Sequence, residues 1–402
     1  MMFAFLFSFS SLTIIELPTG IDYILYFLFL LSFVLLSPPK HTKPHDYLPF
    51  LMSGICFAIL NIYITKYHIP MHFSVLGLFI TYLPFFHFLI SFNYPFTTAD
   101  IFNYIRCLTI SFLLISTIIF IENLVSNVSL DGDGMINSKI FGMGFYASFC
   151  NQLLVLTIGK FIYSKKKVYI CLATSLLFIV LLSIQLKAII GAMVVLLGYV
   201  FMRVRSGFVK FVIPAIIISI ALIITLNTPK LQEKITKYQE LYLSEDAVNG
   251  VARTALYYTS FQIACDFFPF GTGQGTFGSV PSKITSDAVY RDYGINKIYG
   301  LDGESPDFRL DTHWAYILGE NGLLGLLIYL WLLFYPIRAV SKLNTITPEN
   351  RMYKFIVTMS VLTMFIESLA LPLPNRLSMI FIYSGLSGII LRRLNEQVAC
   401  SK

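Results

Sequence analysis

A histidine and an aspartate stand two positions apart where a long polar segment, residues 227–311, meets an apolar one. Asp311 ends the polar segment and His313 begins the apolar run. Histidine is the usual general base near neutral pH, and a carboxylate beside it can orient the ring. A histidine at a water–membrane boundary can also be purely structural. The two residue types alone favour that second interpretation.

Two cations provide a different kind of chemistry. Arg253 begins a segment with helical spacing of apolar residues, 253–267, and its guanidinium is either an ordinary surface charge or a bidentate partner for phosphate. Lys187 stands between two apolar runs, where a cation either extends to the membrane surface or meets an anion. Both alternatives are open for each residue, and the plain surface charge is favoured for Arg253.

A glycine run lies between Arg253 and His313. It contains Gly271, Gly273, Gly275 and Gly278. The pattern is not a dinucleotide fingerprint, because no βαβ unit is predicted around it. Glycines at this density predict a tight loop with positive φ angles and close backbone approach. The amide N–H groups of such a loop could face an anion.

The elements that must position these side chains are membrane helices. The chain has 402 residues and is 56% hydrophobic and 13% charged, whereas soluble domains have about 25% charged residues. Apolar runs approach the roughly 20 residues that a membrane helix needs. They predict an all-α polytopic membrane protein with about twelve transmembrane helices. The runs are residues 2–15, 21–36, 47–64, 73–92, 101–121, 141–163, 168–182, 188–202, 211–226, 313–335, 355–371 and 377–391.

The basic residues between these runs predict the orientation. Lysines and arginines concentrate in alternate loops, which the positive-inside rule assigns to the cytoplasm. Both termini are then cytoplasmic. One large outer loop, residues 227–312, separates about nine helices in residues 1–226 from about three in residues 313–402. The N-terminus lacks a basic region and a cleavage site, which predicts a first membrane helix rather than a signal peptide. The six cysteines form no close pairs, so no disulfide framework or metal site is expected.

The order of motifs along the C-terminal half resembles the O-antigen ligase/polymerase superfamily. These are bacterial inner-membrane proteins with about a dozen helices and one large periplasmic loop. The similarity covers roughly residues 187–334, and the N-terminal helices match in hydropathy only. The motifs are Gly250-x-x-Arg253, then Phe268-Pro269-Phe270-Gly271-x-Gly273-x-Gly275-x-Phe277-Gly278, then Asp311-Thr312-His313-Trp314-Ala315-Tyr316-Ile317-Leu318-Gly319-Glu320-Asn321-Gly322-Leu323-Leu324-Gly325.

The resemblance implies an inverting glycosyltransferase whose donor is a glycan on undecaprenyl pyrophosphate and which needs no metal or other cofactor. Arg253 matches the family's arginine early in the loop, His313 matches its histidine near the loop's end, and Lys187 stands where the family often has an arginine. Lys187 and Arg253 would neutralise the leaving pyrophosphate, His313 would take the acceptor's proton, and Asp311 would orient His313. The further expected contacts to sugar or phosphate are Gly273, Gly275, Tyr290, Arg291, Tyr293 and Arg309.

Within the superfamily, the glycine run looks more like polymerases of O antigen or capsule than like ligases. A polymerase joins lipid-linked repeat units, whereas a ligase transfers the finished glycan to lipid A–core. The expected partners are the lipid-linked oligosaccharide, membrane lipid and a chain-length regulator protein, and not nucleic acid. The alternatives are a ligase and, from another class, a flippase or transporter. Arg106 is the one internal charge that a transport interpretation could use, and snorkelling explains it more simply.

Overall fold

All the regular structure that is described for this chain is helical. The helical class predicted from the sequence is therefore confirmed for this part of the chain, and the number of membrane crossings stays a prediction. The apolar runs at residues 2–15, 21–36 and 211–226 lie outside the described residues. The computed structural model describes residues 47–93, 97–125, 146–183, 185–203, 251–285, 287–304, 306–342, 347–375 and 377–400, with Gln232 and Thr236.

Six helices come first, and each coincides with one of the predicted apolar runs to within a few residues. Apolar sequence forms helix in a membrane because helix satisfies every backbone polar group within its own segment. The shortest of them, α5, is close to the lower limit for crossing a bilayer. The helices are α1 Tyr47–Ile64, α2 Met71–Asn93, α3 Thr98–Val125, α4 Tyr146–Ser164, α5 Lys167–Leu182 and α6 Leu186–Arg203.

The described part of the loop is folded into short helices around a small apolar core. Its first helix, α7, matches the segment 253–267 that the sequence predicted as helical. The core includes Leu256, Phe277 and Tyr290, and it is continuous with Tyr67 between α1 and α2. The elements are α7 Ala252–Asp266, α8 Val280–Thr285, α9 Ala288–Asp292 and two 3-10 turns, Ile295–Lys297 and Asp307–Leu310.

The C-terminal helices complete the bundle. They are α10 His313–Ser341, α11 Pro348–Glu367, α12 Leu377–Ile380, a π-helical turn Phe381–Gly385 and α13 Leu386–Cys400. The start of α11 is set by Thr347, whose side chain accepts a hydrogen bond from the amide of Asn350, and by Pro348 at the first helical position. Helices α4, α6 and α11 pack together, α10 packs on α1, α7 and α11, and α2 packs on α13.

Four of the described helices are long and apolar enough to cross a membrane: α1, α2, α6 and α10. Their length and apolar composition are those of a helical membrane protein. The end of α1 and the start of α2 both lie at the loop, where Lys66 pairs with Asp292 and Gly77 packs against Gly275, so the bundle has a loop end and an opposite end. The loop end contains α7, the C-terminus of α1 and the N-terminus of α10. The opposite end contains the α4–α5 connection, the C-terminus of α6 and the N-terminus of α11.

Helix α10 differs from the single span that the sequence predicted. Gly322 has φ 63° and ψ −169°, so the chain breaks there into two helices, 313–321 and 323–341. A Cβ at Gly322 would lie 2.3 Å from the carbonyl carbon of Phe270. Gly319, Gly322 and Gly325 stand three residues apart, a spacing typical of close helix packing, but the break means that they do not form one continuous stripe. Gly319 and Gly322 instead make room for the loop that precedes α8.

Candidate active site

An arginine and an aspartate that are 58 positions apart in the chain form an ion pair at the loop end. Arg253 is the second residue of α7, and Asp311 follows the 3-10 turn Asp307–Leu310. The Nη2 atom of Arg253 lies 3.1 Å from Oδ2 of Asp311, and the two side chains are 29% and 31% exposed. A ligand approaching from solvent can therefore reach both charges.

Lys187 adds a second positive charge beside this pair. It is the second residue of α6, at the loop end of that helix. Burial raises the pKa of Asp311, and the positive charges of Arg253 and Lys187 oppose that rise. The ammonium group of Lys187 therefore lies within electrostatic range of the Asp311 carboxylate. The structure thus brings together three of the four residues that the sequence predicted to be catalytic.

The fourth residue, His313, lies in the protein interior rather than at a surface. Its side chain has 0% exposure, and its Nε2 atom lies 3.0 Å from the hydroxyl of Tyr329. The break at Gly322 makes this contact possible, because it turns the second half of α10 back toward the first. The ring also packs edge-on against Trp314, with the ring centres 5.0 Å apart.

In the described part of the chain, Asp311 and His313 do not form the expected hydrogen bond with each other. Asp311 pairs with Arg253, and His313 pairs with Tyr329. The Nδ1 atom of His313 is buried and has no hydrogen-bond partner in the described part of the chain. If the Tyr329 hydroxyl donates to Nε2, Nδ1 carries the proton; if Nε2 donates, Nδ1 is a free acceptor. Tyr329, not Asp311, is the residue that orients the ring here.

The glycine loop, residues 268–279, lies against the end of the first half of α10. The amide of Thr272 donates to the carbonyl of Gly319 at 2.9 Å, and the amide of Gly273 donates to the carbonyl of Glu320 at 3.1 Å. From α1, the side-chain amide of Asn61 also donates to the Glu320 carbonyl, at 2.7 Å. These bonds use carbonyls that the broken helix leaves without an intrahelical partner.

The carboxylate of Glu320 fills the inside of the glycine loop. The amide of Phe277 donates to its Oε1 atom at 3.0 Å, and the hydroxyl of Ser279 donates to the same oxygen. The amides of Gly275 and Thr276 also face this carboxylate. The sequence suggested that amides of this loop could face an anion. In the structure the group that these amides face is a carboxyl of the protein itself.

Gly273 and Gly275 are buried, as is every residue from 271 to 279. Their φ angles are 94° and 86°, which glycine adopts readily and other residues rarely do. A Cβ at Gly275 would lie 2.7 Å from Cδ1 of Ile69. The assignment of both glycines to substrate binding stays a prediction. The contacts described here are internal to the protein.

Arg309 and Tyr290 hold the second half of the loop together. Arg309 has 1% exposure, and its guanidinium donates to the carbonyls of Leu301 and Ser282 and to the carboxylate of Asp287. It also lies 4.0 Å from the ring centre of Tyr290. The Tyr290 hydroxyl accepts from the amide of Gly278 at 2.9 Å. Both residues were predicted to contact substrate, and the structure directs their polar atoms toward the loop itself.

Arg291 and Tyr293 lie on the outer face of the loop. Arg291 is exposed at the end of α9. The hydroxyl of Tyr293 donates to the carboxylate of Asp266 in α7 at 2.7 Å. Burial first, and then this hydrogen bond to Asp266, raise the pKa of the Tyr293 hydroxyl. Of the predicted sugar or phosphate contacts, Arg291 is the one whose charged group is most open to solvent.

A polar seam runs between α4, α6 and α11 and was not predicted. Glu367, at the loop end of α11, has 1% exposure, and its Oε1 atom accepts from the side-chain amide of Asn151 at 2.8 Å. Lys187 lies within electrostatic range of this carboxylate too. Gly191 makes the room, because a Cβ there would lie 2.3 Å from Glu367 Oε1. Lys187 therefore stands between Asp311 and Glu367.

The interpretation of Arg106 as the one internal charge is wrong. Arg106 is exposed, whereas Glu320 and Glu367 are buried carboxylates inside apolar helices. A signal for both was present in the sequence, because an acidic residue within an apolar run is costly in a membrane and therefore marks an internal contact or a function. Tyr329 gave no such signal, since tyrosine is common in these helices and its contact depends on the break at Gly322.

No protein-family model and no curated protein matches this sequence.

Proposed function

We propose that this chain is a bacterial glycosyltransferase that polymerises the repeat units of O antigen or capsule, using oligosaccharides linked to undecaprenyl pyrophosphate. The observation that supports the proposal best is the convergence of Arg253 and Lys187 on one carboxylate, Asp311, within two residues of His313. The order of the Arg253, glycine and His313 motifs along the chain, which resembles that superfamily, supports it independently.

Two cations at one accessible point suit a diphosphate leaving group. Arginine binds phosphate through two parallel N–H donors, and lysine adds a compact point charge. A diphosphate carries more negative charge than the single carboxylate of Asp311, so it would replace Asp311 as the partner of Arg253. Charge stabilisation where the leaving group develops its charge is commonly a large part of catalysis. In this proposal Arg253 and Lys187 supply it.

The reaction that follows is a single displacement at the anomeric carbon. The acceptor hydroxyl forms the new C–O bond, the bond to the diphosphate breaks, and the diphosphate leaves with the electron pair. The hydroxyl proton goes to His313, whose Nδ1 atom has no hydrogen-bond partner among the described residues. Attack opposite the leaving group inverts the anomeric centre. Because His313 is buried, the proposal includes an opening of the loop end when substrate binds.

The proposed orientation places the loop end in the periplasm and the opposite end in the cytoplasm, across the bacterial inner membrane. The opposite end contains Lys165 and Lys166 between α4 and α5 and Lys167 at the start of α5, which accords with the positive-inside rule. A chain-length regulator is the expected protein partner of such a polymerase.

The surface glycan of a deletion strain tests the proposal. Lipopolysaccharide of that strain, separated on a gel, should show core with one repeat unit and nothing longer. A ligase would instead leave bare core, with long chains accumulating on undecaprenyl pyrophosphate. A normal ladder together with normal capsule would contradict both assignments.

Complementation of the deletion strain then tests the site. Arg253→Ala, Lys187→Ala and His313→Ala should each fail to restore the ladder while the protein is still present in the membrane. The matched control is Lys283→Ala, which breaks an exposed ion pair of the same loop, Lys283–Asp307, at 2.9 Å. This control should restore the ladder fully.

A transporter is the second candidate, and the seam around Glu367 favours it. Buried carboxylates in membrane helices occur in proton and ion pathways, and Glu367 lies beside Lys187. A transporter would need Glu367 but not His313 or Arg253. Restoration of the ladder by Arg253→Ala and His313→Ala, with lipid-linked repeats trapped on the cytoplasmic face of the deletion strain, would establish transport and contradict the polymerase.

A further inference from the structure

An apolar groove opens between α4, α5 and α6 in the half of the bundle away from the loop. Its volume is about 220 Å³. The lining is almost entirely aliphatic and aromatic, and its members include Ile158, Phe161, Tyr169, Ala173, Leu196 and Tyr199. Phe161 and Tyr169 are within four residues of the ends of their helices, so the groove extends to the opposite end of the bundle.

Three cations converge at that end of the groove. Lys165 lies in the α4–α5 connection, Arg203 ends α6 and Arg351 lies in the first turn of α11. Desolvation, followed by the positive charges of Arg203 and Arg351, lowers the pKa of Lys165. Both arginines are therefore close enough to repel the ammonium group of Lys165. All three side chains are exposed.

Lys165 connects the cluster to the groove. Its ammonium group lies 5.5 Å from the ring centre of Phe161, one of the groove residues. Its backbone has φ 57°, the one positive φ found for a residue other than glycine in the described part of the chain. Left-handed backbone at a bulky residue is unfavourable, and such strain often accompanies a functional constraint. The conformation ends α4 and directs a charge where glycine would be the ordinary choice.

None of the ion pairs found between described residues includes Lys165, Arg203 or Arg351. Three cations outside the ion pairs found between described residues can attract an anion, and the groove beside them admits a hydrocarbon chain. A molecule that has both an anionic head and an acyl chain is a membrane phospholipid.

We propose that this groove and the cluster of Lys165, Arg203 and Arg351 form a binding site for an anionic phospholipid of the cytoplasmic leaflet. The phosphate lies among the three cations, and one acyl chain lies in the groove against Phe161 and Ala173. The site is separate from the loop end and does not depend on the reaction proposed there. Only the choice of leaflet rests on the proposed orientation.

Native mass spectrometry of the full-length protein tests the proposal, after reconstitution with equal amounts of phosphatidylglycerol and phosphatidylcholine. The wild-type protein should retain phosphatidylglycerol preferentially. Lys165→Gly should weaken retention about five-fold, which corresponds to the loss of one basic residue near an anionic surface. Glycine suits the left-handed backbone at this position, so this variant should fold at least as well as the wild type. Ala173→Phe, which fills the groove, should weaken retention without removing charge.

Arg338→Gln is the matched control. Arg338 is an exposed cation near the C-terminus of α10, a helix that does not line the groove. Retention should not change in this variant. Equal retention of the two lipids by wild type, or an equal loss in Arg338→Gln and Lys165→Gly, would overturn the proposal.

Two other occupants give different results. If undecaprenyl phosphate binds at the groove and displaces phosphatidylglycerol completely, the site belongs to an isoprenoid lipid. If another segment of this chain fills the groove, Ala173→Phe lowers the thermal midpoint and no variant alters lipid retention. Either result overturns the phospholipid assignment. A failed complementation by Arg253→Ala is unaffected by all of these outcomes, so the polymerase proposal stands or falls separately.

Discussion

The described part of the loop contains two arginine–aspartate pairs. They differ in how far the arginine side chain is buried and in how many of its N–H donors bind groups of the protein. Arg253 pairs with Asp311, and its side chain is 29% exposed. Arg309 pairs with Asp287 but is 1% exposed, donates to two backbone carbonyls and lies over Tyr290. An arginine whose donors are satisfied inside the fold stabilises the fold. An arginine whose ion pair is partly exposed to solvent is able to exchange its carboxylate for a ligand.

Replacing Arg309 should produce the largest effect on stability. Arg309→Ala leaves the backbone carbonyls of Leu301 and Ser282 without their buried donor, and each buried group left unsatisfied costs about 1–3 kcal/mol. The thermal midpoint of the purified protein in detergent should fall by many degrees. In Lys283→Ala, which breaks an exposed pair, the cost should stay below about 1 kcal/mol. An equal fall in the thermal midpoint of the two variants would show that Arg309 does not hold the second half of the loop together.

Replacing Arg253 should give the reverse pattern. Arg253→Ala should reduce polymerisation by about 10²–10³-fold, the usual cost of one group that stabilises developing charge. The thermal midpoint should change little, because the pair with Asp311 is partly exposed. Arg253→Lys should recover part of the activity, since it keeps the charge but not the bidentate geometry. Densitometry of the glycan ladder measures the activity. A full ladder in Arg253→Ala would show that Arg253 is not needed for polymerisation and would contradict the contrast with Arg309.

The same contrast separates two carboxylates, Glu320 and Asp311. Glu320 accepts hydrogen bonds inside the glycine loop. Glu320→Ala therefore leaves buried donors without an acceptor, which destabilises the loop by about 1–3 kcal/mol. If the loop opens more easily by that amount, amide hydrogen exchange in residues 271–279 should accelerate about 5- to 150-fold. Glu304→Gln, at an exposed carboxylate of the same loop, is the control. Unchanged exchange in Glu320→Ala would mean that the backbone bonds alone hold the loop.

The smallest effect concerns Asp311 and depends on pH. Because burial raises the pKa of Asp311 above 3.8, the folded protein binds a proton at this carboxyl more readily than the unfolded chain does. The resulting stability is fully present below pH 3.8 and is lost as pH rises through the higher, folded-state value. The side chain of Asn in Asp311→Asn cannot ionise, so this variant does not lose that stability as pH rises.

The free energy of unfolding of Asp311→Asn, relative to that of wild type, should therefore increase as pH rises from about 4 to about 7. The increase should be less than about 1 kcal/mol, because the pair is partly exposed. Thermal unfolding at several pH values measures this difference. A decrease over that range would mean that the ion pair with Arg253 outweighs desolvation.

The helices could be predicted closely from the sequence, and the site only in part. The run 47–64 coincides with α1 at both ends, because apolar residues in a membrane form helix until polar residues stop them. The two arginines looked alike in the sequence, since each stands in a polar loop within reach of aspartates. Their different roles depend on burial and on partners distant in the chain, such as Ser282 for Arg309.

Backbone geometry accounts for the remaining differences. The left-handed conformation of Gly322 is set by the loop that packs on it, and no local pattern distinguishes it from Gly319 or Gly325. Without that break the sequence predicted an interfacial His313 oriented by Asp311. With it, His313 meets Tyr329, and Glu320 faces the glycine loop. One φ angle thus changes the partners of residues up to nine positions away.

The break at Gly322 also changes how the length of α10 compares with the thickness of a bilayer. A straight helix over the 29 residues of α10 would measure about 43 Å at 1.5 Å per residue, well beyond a hydrocarbon layer of about 30 Å. The part after Gly322, residues 323–341, measures about 28 Å and matches that layer unaided. The nine residues before the break are therefore released from crossing the bilayer. The position of His313 is then set by its contact with Tyr329 within the protein rather than by the thickness of the bilayer.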